Sequence, residues 1–270
     1  MPVSKLKNLA ILILLLANAA LLCLLVPRQI RQQQQTDRLR EAVTALCAEQ
    51  EVTMEPDCVP ETVTLHELEL ADGDTARLDA LTALLGEAPE RTDTGRFTAD
   101  ALRLCTWHDD KLSLKLTGGR EVSDIRGSAG RTLRKMGYEA NSITKPRRLS
   151  PGIYAMTATQ SILGMPVFSE GLTITYSNNA LSDLEGSFFA GTLTAAGSTA
   201  CINAAEAVVA FLSARVELGW VGSTISGLEQ GYYRYETAGS TVRLTPVWKI
   251  VTDTGSFLIH GLSGEVQQLP

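Results

Sequence analysis

The residues with the clearest chemical potential are two Asp-Thr-Gly triplets, Asp93-Thr94-Gly95 and Asp253-Thr254-Gly255, set in the matching frames TDTGRF and TDTGSF. Aspartic proteases bring two such carboxylates together so that they share a proton and activate a water. The separation along the chain suits that role, but the flanks do not. Glu90-Arg91-Thr92 is not an apolar strand that would carry the first triplet into a cleft, and only 15 residues follow Gly255, too few to enclose a second catalytic lobe. Asp and Gly between strands are ordinary turn residues, because Gly adopts positive φ and Asp bonds its own backbone. The triplets therefore read as turns, and an aspartic hydrolase using Asp93 and Asp253 is the lesser alternative.

The other reactive residue types are scattered. His66, His108 and His260 have no partners at metal-ligand spacing. HGLSGE lacks the frame of a nucleophile elbow. No catalytic residue, metal ligand or cofactor site is predicted. Tyr232, Tyr233, Tyr235 and Trp248 form an aromatic concentration on the last strands. Such residues serve mostly as core and cross-strand packing, with an interaction surface as the second use. Cys47 and Cys58 are the cysteines closest in sequence and could form a disulfide in an oxidising space, or remain buried thiols.

The elements that must carry these residues begin with Leu9 to Val26, 18 apolar residues without a charge. As a helix this run spans about 27 Å, close to the hydrocarbon thickness of a bilayer. It reads as a retained membrane anchor. Ala17-Asn18-Ala19 resembles a cleavage site, but Ala20 to Val26 stays apolar where a mature chain would turn polar. Asn18, at the middle of the run, is a candidate contact to a partner helix, since an amide there gains from an interhelical hydrogen bond. Lys5 and Lys7 favour a cytoplasmic N-terminus, and the long body beyond a single anchor favours export. Residues 1–35 hold four basic and no acidic residues, so the body is more acidic than the formal net charge of -6. An acidic body argues against nucleic acid as a partner.

Beyond the anchor, Leu39, Val43 and Leu46 make a narrow helical stripe. Residues 27–60 read as a juxtamembrane helix and linker, and residues 61–140 as a first module. That module holds a helix near GDTARLDALTALLGE, a hairpin turning at His108-Asp109-Asp110, and a short helix ending at Gly137. NSITKPRRLSPG, within 141–152, reads as an interdomain linker. Residues 153–270 read as a second module, with an Asn-Asn turn and a helix opened by Asn203 and Glu206. Pro246 predicts an edge or a bend. The expected fold is α+β: a cytoplasmic start at 1–8, a transmembrane helix at 9–26, then two tandem modules of antiparallel sheet plus helix.

This arrangement, with YAMTATQSILGMPVF, INAAEAVVAFL, GYY and LTPVWKIVTDTGSFLIHGLSGEV, resembles the YycH/YycI regulators of Gram-positive two-component systems. It is closer to YycI, whose last module is similar to PepSY-type domains. Gln160 to Phe168, Pro246-Val247-Trp248 and Gly261 to Val266 carry most of the likeness. The resemblance implies two PepSY-like modules and a non-enzymatic, membrane-anchored, extracytoplasmic protein. Its partners would be a membrane histidine kinase and a related YycH-type protein. The remaining alternative is a secreted or anchored PepSY-like binding or inhibitor module.

Overall fold

The computed structural model describes residues 37–61, 63–71, 73–93, 95–235 and 242–269. In chain order the first half contains α1 (37–49), β1 (Thr53–Met54), β2 (Leu68–Ala71), α2 (Gly73–Leu85), β3 (Glu90–Asp93), β4 (Arg96–Thr98), β5 (Leu102–His108), β6 (Lys111–Leu116) and α3 (Ile125–Lys135). The second half contains β7 (Ala140–Ile143), β8 (Arg147–Ser150), β9 (Ile153–Ile162), β10 (Met165–Pro166), β11 (Leu172–Ser177), β12 (Ala180–Ser187) and β13 (Thr192–Ala195). It is completed by α4 (Ala204–Ala214), β14 (Thr224–Tyr233), β15 (Arg243–Thr252), β16 (Gly255–His260) and β17 (Val266–Gln268).

Local chemistry explains many of these elements. Asn203 and Glu206 close a reciprocal capping box at the start of α4. Asp124 caps α3 by accepting from Gly127 N–H at 3.0 Å, and Gly137 follows that helix at φ +78°. Asn178 and Asn179, both at positive φ, make the two-residue turn between β11 and β12. Leu112 and Leu114 alternate inward from the β5–β6 hairpin.

The strands assemble into a ten-stranded sheet, ordered β10-β9-β11-β12-β6-β5-β4-β3 with β7 and β8 also on β9, and a seven-stranded sheet built on β1-β14-β15-β16-β17 with β2 and β13. Each sheet has its own core. Trp107, Leu114, Leu133, Tyr138 and Tyr176 are buried with the first sheet, while Val43, Val208, Phe211, Trp248 and Ile250 are buried with the second. A third cluster, including Leu68, Ile162, Val167, Phe189, Tyr232 and Leu244, lies where the sheets meet. The α1 stripe of Leu39, Val43 and Leu46 packs on the second core.

This architecture corrects the expected fold. The molecule is mostly β, with seventeen strands against four helices among the described residues. It is not a pair of tandem α+β modules. β6 pairs with β12, so one sheet crosses the expected boundary, and β1 and β2 cross the other way into the C-terminal sheet. The expected linker at 141–152 contributes β7 and β8, which among the described residues pair only with β9. Their charge and proline suggested a loop, but an edge strand exposed to water needs no apolar residues and tolerates both. Among the described residues no helix is long and apolar enough to cross a membrane. Leu9 to Val26 and Asn18 lie outside the described residues.

Of the two expectations for Pro246, the edge is ruled out, because β15 is central. Its carbonyl accepts from Gly261 N–H at 2.8 Å, just past the end of β16 at His260. The proton that Pro246 lacks would have gone to the Gly261 carbonyl, which accepts from Ile202 N–H at 2.8 Å instead, so the lost ladder bond leaves that carbonyl satisfied.

Candidate functional site at the sheet junction

The two sheets are fastened by backbone and side-chain bonds between distant segments. Val167 bridges Tyr232 in parallel, and Phe168 N–H donates to the Tyr232 carbonyl at 2.8 Å. Gly231 is required here, since a Cβ would run into the Pro166 carbonyl and the Phe168 ring. Gln160, 6 % exposed, holds Phe189 with both ends of its amide, accepting from its N–H at 2.9 Å and donating to its C=O at 3.0 Å. Gln230 grips the Val63 backbone in the same way. Each amide stands in for one step of a β ladder and satisfies backbone groups near the seam.

Around this seam the chain sets an ionic cluster. Asp110 is 1 % exposed in the β5–β6 turn, behind Asp109 at φ +51°. Arg234, just past β14, pairs with Asp110 and lies 3.7 Å from Asp109. Arg234 N–H also donates to Ser169 Oγ at 2.9 Å. Arg77 reaches the Asp109 carbonyl at 3.0 Å and Asp74 at 2.9 Å, and Arg91 meets Asp74 at 2.8 Å. Charges thus alternate from α2 and β3 across the hairpin turn to the end of β14. A buried carboxylate needs this compensation, because an unpaired charge in low dielectric is severely destabilising.

Beside the pair is a pocket of about 290 Å³ whose lining includes Lys111, Ser169, Glu170, Tyr233, Arg234 and Tyr235. Lys111 Nζ donates to Glu170 at 2.6 Å and to Ser187 Oγ at 3.2 Å. Tyr233 and Tyr235 meet edge to face with centroids 4.9 Å apart, and Tyr235 lies 5.0 Å from the His260 ring. Burial, aided by Tyr233 and Glu265, pushes the Tyr235 phenol up to about 12, so at neutral pH it is a hydroxyl. His260 Nδ1 accepts from the N–H groups of Leu262 and Ser263. The cluster can bind polar and aromatic groups by hydrogen bonding and stacking.

The sequence-predicted residues separate here. Tyr233 and Tyr235 are half-buried beside the pocket, whereas Tyr232 and Trp248 are 1 % and 0 % exposed and cannot form an interaction surface. Trp248 donates from Nε1 to the Ile202 carbonyl at 2.8 Å. Strand alternation accounts for the difference between Tyr232 and Tyr233. Asp253 occupies the two-residue turn from β15 to β16, accepting from Ser223 N–H at 3.0 Å. Asp93 ends β3 in the other sheet, and Gly95 lies beside Trp107 and His108. The fold assigns the two to different sheets with different neighbours.

Of the two readings for Cys47 and Cys58 the free-thiol one fits, and Cys47, Cys58, Cys105 and Cys201 are all free thiols. Cys47 Sγ faces Met54 Sδ at 3.9 Å and Cys58 Sγ faces the Ser226 carbonyl at 3.2 Å, so each thiol has a separate partner. Burial raises Cys47 to about 11 and Cys105 to about 12, which keeps both protonated and unreactive. His66 lies against the Thr199 carbonyl, away from the other two histidines. Among the described residues no group of three His, Cys, Asp or Glu could hold a metal ion. Sequence reasoning missed Arg234, Asp110 and the two glutamines. The Asp-Asp turn was legible, but nothing near it in sequence announced its distant arginine.

No family model matches the chain, and no curated protein matches it. Among solved structures it is similar to an uncharacterized protein from Eubacterium rectale. That match has 9% sequence identity, covers 81% of this chain and 90% of that chain, and has a TM-score of 0.49.

Proposed function

We propose that this protein is a non-enzymatic regulator that acts outside the cytoplasm, at the cell membrane. It works by contact with a sensor histidine kinase of cell-envelope signalling, in the manner of the YycI-type proteins its sequence resembles. The observation that supports this reading is the Tyr233-Arg234-Tyr235 cluster at the sheet junction. Tyrosine and arginine are the side chains that dominate protein interfaces, because they supply large contact areas at low cost in conformational entropy. Here the buried ion pair and ring stacking hold them in place before a partner arrives. A regulator needs only different affinities for two kinase states. A difference of about 1 to 3 kcal/mol shifts such an equilibrium about 5- to 150-fold.

The test places a photoreactive amino acid at Tyr233 in the full chain in growing cells, together with Tyr235→Ala. Capture of a membrane histidine kinase is expected, with kinase output altered by Tyr235→Ala in properly folded protein. Kinase output unchanged by Tyr235→Ala, with only proteins of other classes captured, overturns the proposal.

A further inference from the structure

A second surface lies away from the junction, along the free edge of β7. Between α3 and this strand runs an open groove of about 1140 Å³, lined by both elements and by Gly137 and Tyr138. Among the described residues β7 pairs with β9 on one side only. Thr144 N–H points back to β9 and donates to the Thr157 carbonyl at 3.0 Å. By strand alternation, the backbone groups of Ile143 point the other way, into the groove. The Ile143 carbonyl accepts there from Arg126 at 3.2 Å. Its N–H faces the same side, where a further strand would supply a carbonyl.

The charge of this face is unlike that of the rest of the chain. Between Arg120 and Arg148 there are eight Lys and Arg against three Asp and Glu, in a protein of formal net charge -6. Among the described residues none of these eight cations forms an ion pair. Arg126 and Arg134 line the groove, and Lys145, Arg147 and Arg148 continue along the same edge. Of the acids at the groove, Asp124 is engaged in capping α3, and Glu139 is the other.

The helix wall is also lower than the fold requires. Gly127 and Gly130 face the groove, and a Cβ on Gly130 would meet only Ile143 Cδ1, at an ordinary 3.7 Å. Glycine inside a helix is unfavourable, and no packing contact within the protein needs one at position 130. Its effect is room for another chain beside β7.

We infer that the groove between α3 and the free edge of β7 docks an acidic, extended segment of a protein partner. That segment adds to β7 as a further strand while its carboxylates meet Arg126 and Arg134. Strand addition uses the outward backbone groups of Ile143, and the unpaired cations select an acidic segment. The groove is concave, which suits a single chain better than a flat anionic surface. This inference does not depend on the kinase proposal.

The test uses the full chain in neutral detergent and a fluorescent peptide of about ten residues alternating Glu and Val. A twin peptide carries N-methyl groups on alternate peptide nitrogens, which leaves its charge intact and blocks ladder bonding. The unmodified peptide is expected to bind about tenfold or more tightly than the twin. Arg126→Glu with Arg134→Glu should weaken it about tenfold or more, and Arg103→Glu on β5 should leave it unchanged. Equal binding of the two peptides overturns the inference, as does failure of the unmodified peptide to bind. Tighter binding of linear polyphosphate than of the unmodified peptide also overturns it, in favour of a general anion site.

Discussion

Arginines do opposite work in two regions of this molecule. At the sheet junction, Arg234 has a side chain 22 % exposed and faces Asp110, Asp109 and Ser169. Along the α3–β7 groove, Arg126 and Arg134 stand in water without a carboxylate partner among the described residues. The first arrangement fastens two sheets, because a buried charge holds its partner wherever that partner is anchored. The second leaves its charge available, since solvated cations cost the fold little. Residue type alone does not separate a fastener from a recognition surface. Burial and compensation do.

Breaking the junction pair should produce the largest effect. Arg234→Ala leaves Asp110 buried without its cation and is expected to cost about 3–5 kcal/mol in denaturant unfolding. Arg126→Ala together with Arg134→Ala should change stability by about 0.5 kcal/mol or less. Replacing the pair by Asp110→Leu and Arg234→Met should recover most of the loss, since the penalty comes from the stranded charge. If Arg234→Ala costs no more than the groove double variant, the contrast between the regions is wrong.

Tyr235 sharpens the comparison through pH. Its phenol is raised to about 12 in the folded protein, chiefly by burial, against about 10 in an unfolded chain. Between those values the folded state retains a proton that the unfolded state has lost. The corresponding stability is therefore present below about pH 10 and declines as pH rises toward 12. An absorbance titration of the folded protein should show Tyr235 ionising late, alongside Tyr138, Tyr176 and Tyr232, which burial also raises, and Tyr235→Phe should reduce the late amplitude by one tyrosine. A late amplitude unchanged by the substitution would place the dry environment elsewhere.

Gly130→Ala should have a small effect of opposite sign. Nothing in the fold obstructs the new methyl group, so the helix should gain about 0.5–1 kcal/mol. A rise in Tm measured calorimetrically is the expected outcome. A fall would show that the groove wall is strained in a way its contacts do not reveal.

Local features of the fold were legible in the chain. The capping residues of α4, the glycine after α3, the inward leucines of β6 and the hairpin turns at Asp109-Asp110, Asn178-Asn179 and Asp253-Thr254 all depend on residues a few positions apart. The candidate site was legible in part. Tyr233 and Tyr235 were named, but so were Tyr232 and Trp248, which turn inward. Nothing near Asp109-Asp110 signalled that the turn would receive Arg234. The segments on which the YycI resemblance rests include much of the seam: Gln160 meets Phe189, Val167 and Phe168 meet Tyr232, and Pro246 meets Gly261. Their spacing reflects how the sheets fasten as much as any recognition task.

By itself, the sequence determined where the chain turns, which stretches favour strand or helix, and the uneven spread of charge. These follow from φ preferences, capping and side-chain alternation, each local. Only the tertiary structure decided that β6 pairs with β12, that β1 and β2 join the last sheet, and that 141–152 becomes an open edge. Strand edges offer much the same hydrogen bonds to many partners, so the choice among them rests on burying three cores at once. The same long-range packing compensated Asp110 and left the α3–β7 cations free.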